Sequence, residues 1–167
     1  MGVVALALGG ALLTAGCGIK PTGVIESGQP AEVSVAMASY ATQVYFLSPT
    51  GGLVPVPESG YPPAAPSDVL RRLLRGPRES ERAAGLRTEV PALPDSKESG
   101  PSWRVEQNGD GEMTVRLPFP VRPLSAGAQR QLVCTAAGTA GAAPTTVEVT
   151  LFGPDGGLPA AHCPALG

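Results

Sequence analysis

The chain has 167 residues, 43% of them hydrophobic, and a formal charge of −2 at pH 7. That length holds one domain of ordinary size, and the near-neutral balance lacks the basic field on which nucleic-acid binding depends. With Gly 22 and Pro 19, the composition lies close to the share at which loop dominates, so the expected form is a small core joined by long connections.

Residues 1–19 carry no charge, and the stretch from Val3 to Leu13 is an apolar run of signal-peptide length. Thr14-Ala15-Gly16-Cys17 follows at once. Small residues ahead of a cysteine are what a lipoprotein signal peptidase accepts, and the segment resembles a bacterial lipobox. It departs from that pattern in placing Thr14 where Leu is usual, with Leu13 one place further back, and in having no Lys or Arg before the apolar run. An uncleaved transmembrane helix, barely long enough for about 30 Å of hydrocarbon, and a freely secreted chain are the alternatives. All three export the rest of the chain. A lipid on Cys17 with two acyl chains, at about 0.8 kcal/mol per buried methylene, anchors stably where one chain does not. The lipoprotein reading therefore makes 1–16 the signal peptide and 17–39 a flexible tether containing Pro21, Gly23, Ser27, Gly28 and Pro30.

From Gln43 onward the pattern is that of a folded domain. Gln43-Val44-Tyr45-Phe46-Leu47 is a short strand, Ser48-Pro49-Thr50-Gly51-Gly52 a turn, and Leu53-Val54-Pro55-Val56 a second strand. Pro55 and Pro57 cannot donate to a ladder, which assigns that strand to a sheet edge. Ser67 is positioned to cap a helix over 68–75 with Val69, Leu70, Leu73 and Leu74 on one face and Gly76-Pro77 as the stop. Residues 78–84 add a helical turn or two. Leu86-Arg87-Thr88-Glu89-Val90 reads as a strand ended by Pro91.

Trp103-Arg104-Val105-Glu106-Gln107 and Met113-Thr114-Val115-Arg116-Leu117 alternate apolar and polar residues around Asn108-Gly109-Asp110-Gly111, the clearest hairpin in the chain. Ser125 caps a helix over 126–137, and residues 146–152 alternate as a last strand. The order of elements gives an α+β fold, a small mixed sheet with two helices packed on one face. Residues 40–153 form the domain and 154–167 a C-terminal tail.

Setting Cys17 aside leaves Cys134 and Cys163, an even number in an oxidising compartment, and the expectation is a disulfide that ties down the tail. Two free thiols, or a metal site adding His162, are the alternatives. Three potential ligands without a close Cys pair make a poor zinc pattern.

Several segments together resemble the GerMN domain, a small extracytoplasmic module of spore germination and sporulation proteins. The matching pieces are Val44-Tyr45-Phe46-Leu47, Val69-Leu70-Arg71-Arg72-Leu73-Leu74-Arg75-Gly76-Pro77, Gly85-Leu86-Arg87-Thr88-Glu89-Val90-Pro91 and Gln131-Leu132-Val133-Cys134-Thr135-Ala136. The resemblance spans roughly 40–153. It implies an α+β fold, a non-catalytic role in envelope or spore assemblies, and likeness to lipoproteins of high-GC Gram-positive bacteria in which the module follows a lipobox, sometimes beside a sensor kinase. It carries no catalytic residues with it.

The chemistry of the residues points the same way. The one histidine, His162, lies in a Gly- and Pro-rich tail where nothing nearby supports a Ser-His-Asp or Cys-His pair built around it, and neither a Gly-x-Ser-x-Gly elbow nor a phosphate-cradling loop is present. Asn108-Gly109-Asp110-Gly111-Glu112 reads as a turn, with too few carboxylates for calcium, and Glu79, Glu81 and Glu89 read as solvated acids. No enzyme, cofactor or metal is expected. Arg71, Arg75, Arg78 and Arg82, spaced by four, three and four, would line one side of an unbroken helix and offer a face to anionic lipid or an acidic partner. The ordinary alternative is a solvated face interrupted at Gly76-Pro77. The functional expectation is a lipid-anchored interaction module on the outer face of the cytoplasmic membrane, docking to another envelope protein through an exposed sheet edge or the arginine face. A small-ligand-binding lipoprotein is the rival, to be recognised by a concave apolar pocket with converging polar groups; the chain, only 4% aromatic, is expected to have none.

Overall fold

A computed structural model describes residues 42–58, 64–92, 103–109 and 111–166. Cys17, the expected signal peptide over 1–16 and the expected tether over 17–39 lie outside the described residues, as does Asp110. In chain order the elements are β1 (Gln43–Leu47), β2 (Leu53–Pro57), α1 (Pro66–Leu74), α2 (Glu79–Ala83), β3 (Arg104–Gln107), β4 (Glu112–Arg116), α3 (Ala126–Ala137), a 3-10 turn at Pro144–Thr146, β5 (Glu148–Gly153), β6 (Gly156–Gly157) and β7 (Ala161–His162). The class is α+β, but the strands divide between two sheets instead of forming one.

The first sheet is the antiparallel hairpin β1–β2, with Tyr45 opposite Pro55 and Gln43 opposite Pro57. Its ladder bonds fall on the even-numbered positions, since Ser48 N–H donates to Gly52 O and Glu58 N–H to Thr42 O. The two prolines therefore occupy non-hydrogen-bonded positions and face away from β1, where their missing N–H costs nothing.

The second sheet runs β3-β4-β5-β6, with β7 also pairing with β5. β3 and β4 form the expected hairpin, turning through Gly109 and Gly111 at positive φ. β4 and β5 are parallel, with Met113 beside Val149 and Val115 beside Leu151. Parallel neighbours need a long crossover, and α3 supplies it. The alternation in β4 and β5 buries Met113, Val115, Val149 and Leu151, and α3 packs on both strands.

Ser125 Oγ caps α3 by accepting Ala128 N–H at 3.1 Å, as its place ahead of the helix predicts. Gly127, Ala128 and every residue from Gln131 to Ala137 are buried, which leaves Ala126, Gln129 and Arg130 as the accessible part of the helix, because it lies against β1 as well as against β4 and β5. α1 begins at Pro66, one position before the Ser67 cap expected, with Ala65 in the capping place; the fixed φ of proline suits the first helical residue. Val69, Leu70, Leu73 and Leu74 are all buried, and α1 packs on β1 and α3. Gly76, at φ 78, ends the helix as expected.

The strand expected over Leu86–Val90 is reduced to one bridge between Leu47 and Arg87. Beyond it, Glu89 N–H donates to Gln131 Oε1 at 2.9 Å and Val90 N–H to Thr88 Oγ1 at 3.1 Å. Side chains have taken the amides that a ladder would have used.

Cys134 and Cys163 form a disulfide with Cα atoms 4.7 Å apart and a sequence separation of 29, joining α3 to the tail just after β7. Replacing both with Ala, which avoids leaving a lone thiol, is expected to cost about 3.5 kcal/mol in the chain-entropy account. Urea unfolding of the oxidised protein and the double variant measures it.

Candidate functional site

Two polar constructions organise the hairpin end of the molecule. The outward side of β1 presents the backbone groups of Tyr45 and Leu47. Thr135 Oγ1 accepts Tyr45 N–H at 3.0 Å, Gln131 Nε2 donates to Tyr45 O at 3.0 Å, and Arg87 exchanges both backbone bonds with Leu47. Gln131 and Thr135 lie one helical turn apart on α3 and are fully buried. They replace the neighbouring strand that β1 lacks. The second construction is an ionic cluster. Arg72 bonds Glu81 through its terminal nitrogen and Gly76 O through the other, while Glu58 lies between Arg72 and Arg78, with Arg78 Nη2 to Glu58 Oε2 at 2.9 Å. Arg72 Nε and Glu58 Oε1 are 3.2 Å apart but misaligned for a hydrogen bond, so theirs is a charge contact alone. The Arg72 guanidinium also lies 5.0 Å from the centre of the Phe46 ring.

These contacts dissolve the arginine row. Gly76 and Pro77 break the helix between Arg75 and Arg78. Arg71 on α1 and Arg75 at its C-terminal cap remain exposed, Arg71 with its guanidinium 5.3 Å from the Trp103 ring centre and near Asp68. Arg78 belongs to the ionic cluster, and Arg82 donates to Pro77 O at 2.6 Å. The four do not share one face. Nor do the three glutamates meet: Glu81 is in the cluster, Glu89 accepts from Ser125 and Arg87, and Glu79 is exposed. His162 has its Nδ1 3.1 Å from Val147 O and its Nε2 3.8 Å from Glu148, with the neighbouring cysteine in the disulfide. Among the described residues no three His, Cys, Asp or Glu side chains come together as a metal site.

A cleft of about 320 Å³ between α3 and the tail corrects the expectation that no pocket would be found. Its origin lies in the register. Gly157 pairs with Phe152 and Ala161 with Val149, so three tail residues oppose two of β5 and one residue is in excess. Such a bulge bends the chain at a sheet edge. Leu158 still bonds Leu151 O at 2.9 Å, and Pro159 and Ala160, both exposed, form the rim across from α3. Val133 and Leu151 supply the apolar walls, Arg130 and Gln129 the α3 side of the mouth. The Gln129 amide is committed to Leu124 O at 3.0 Å. A proline, a small residue and an excess residue in a tail give no periodic signal, so nothing in the sequence marked this place.

Within the β5–β6 turn, the Asp155 carboxylate accepts the backbone N–H of Val121 at 2.8 Å and Arg122 at 2.9 Å. Burial works against its ionisation, but those amides and the Arg122 charge outweigh it and hold the group below its ordinary range.

Gln131→Leu removes the partners of Tyr45 O and Glu89 N–H while keeping volume, and is expected to lower stability by about 2–4 kcal/mol, read by chemical denaturation. Glu81 predicts a pH dependence. Burial would raise its pKa, yet the hydrogen bond from Arg72, the Arg78 amide and the charges of both arginines together hold it below its ordinary 4.5. A depressed carboxylate stabilises the fold fully above its unfolded pKa, and the contribution drains away as pH falls through the folded one. The unfolding temperature of Glu81→Gln should therefore fall short of the parent's at pH 7, with the gap closing below pH 4.5.

No protein-family model, curated protein or solved structure matches this chain, and what the site does must be argued from its own chemistry.

Proposed function

We propose that the chain is a lipid-anchored extracytoplasmic module of GerMN type, non-catalytic, which docks to another protein of the bacterial envelope. The observation that carries the proposal is the buried disulfide Cys134–Cys163, a bond that persists in oxidising compartments, in a chain whose apolar leader ends at Thr14-Ala15-Gly16-Cys17. Export and a further cysteine, Cys17, behind small residues are the conditions for lipidation. No helix of the described residues is long and apolar enough to cross a membrane.

The docking role is supported by how the polar groups are spent. Arg72, Arg78, Glu58, Glu81, Gln131 and Asp155 hold structure together, and His162 faces Val147 O and Glu148 rather than a nucleophile. Arg71 on α1 and Arg75 at its C-terminal cap remain as exposed cations, suited to an acidic partner surface. The cleft beside α3 favours the second reading, a small-ligand-binding lipoprotein.

Expression in a bacterium, with intact-mass measurement and membrane fractionation, tests the anchor. The parent should carry a diacylglyceryl mass increment on Cys17 and stay with the membrane. Cys17→Ala should lose both. An unmodified chain retained in the membrane would mean an uncleaved helix, and an unmodified chain in the medium a secreted domain; either result ends the lipoprotein reading.

A further inference from the structure

We infer that the cleft between α3 and the C-terminal tail binds a small aliphatic carboxylate, its body between Val133 and Leu151 and under Leu158, its carboxylate on Arg130. The inference goes beyond the docking role and is independent of the anchor, since a secreted chain would have the same cleft. The volume, about 320 Å³, is at the lower end for ligand pockets and suits a molecule of a few carbons rather than a long acyl chain. Walls formed by Val133, Leu151, Leu158, Pro159 and Ala160 offer the body no hydrogen-bond partner from their side chains.

The headgroup follows from Arg130. Its Nε is bonded to Ala126 O at 3.3 Å, which fixes the stem along α3 and leaves both terminal amino groups without a protein acceptor among the described residues. Glu89 is near enough for the Arg130 charge to help keep it ionised, but its own partners are Ser125 and Arg87. The other polar groups at the cleft are committed elsewhere: the Gln129 amide to Leu124 O, the His162 ring to Val147 O and the neighbourhood of Glu148. One unpaired planar guanidinium beside an apolar slot matches a carboxylate, whose two oxygens accept a fork of two N–H groups. A phosphate would ask for more donors than the cleft has available.

The ligand must be small, so affinity will be modest, with a Kd of roughly a millimolar for about eight heavy atoms. The test uses the full-length protein, in lipid nanodiscs with empty nanodiscs as background where it is membrane-bound and free in solution where it is not, and saturation-transfer NMR of isocaproate. The expected result is saturable binding, weakened roughly tenfold for the uncharged isocaproamide and for Arg130→Ala, and lost in Ala160→Phe, which fills the rim. Both substitutions are at exposed positions, and the acid-against-amide comparison on the parent protein needs neither. Absence of saturation above the nanodisc background, equal binding of acid and amide, or binding unchanged in both variants would overturn the inference. Acetyl-Ala-Leu binding more tightly than isocaproate would overturn it too, by making the site one for peptide termini.

Discussion

The structure hangs on how the outward edge of β1 is satisfied. A strand with a partner on one side only, buried on the other, leaves amides and carbonyls that cost several kcal/mol each if unpaired in an apolar surrounding. Here Gln131 and Thr135, a turn apart on α3, bond the backbone of Tyr45, and Gln131 reaches on to Glu89 N–H. The helix thus does for the hairpin what a strand does elsewhere. It is also the crossover between β4 and β5, so one element serves both sheets and its burial on nearly every side follows. Two separate sheets share a single core because α3 lies against both, with α1 adding contacts to β1 and β3.

That arrangement explains what could and could not be foreseen. The Ser125 cap, the helix stop at Gly76, β1 at Gln43–Leu47 and the glycine turn between β3 and β4 are decided by neighbours in sequence, and all were legible there. The division into two sheets was not, because it rests on two polar residues in the middle of a helix whose role depends on a strand 86 and 90 residues away. A Gln and a Thr on a helix read as solvent-facing until something is packed against them. The strand expected at Leu86–Val90 failed for the same reason: its alternation was real, but Gln131 and Thr88 took its amides first. The cleft escaped notice because it comes from one surplus residue in a register, and registers are invisible to composition.

The arginines divide along similar lines. Spacing alone puts Arg71, Arg75, Arg78 and Arg82 in a row, while the backbone turn at Gly76 and the acids at Glu58 and Glu81 assign them different tasks. Arg72, which the row omits, is the most deeply engaged of all. Its side chain is 12% exposed and links two carboxylates, a carbonyl and the Phe46 ring. Joining the end of β2 to α1 and α2 with paired charges costs desolvation, and shared partners on both sides are what make such a cluster tolerable.

The prolines of β2 have an effect at a larger scale. An outer strand edge ordinarily displays a comb of amides on which another chain can lay itself, the first step of strand addition and of aggregation. Along this edge the outward positions are Leu53, Pro55 and Pro57, and of these only leucine carries an amide hydrogen. The hairpin is blunted against copies of itself at the place where it would be most adhesive, so molecules brought side by side can touch there without zipping together.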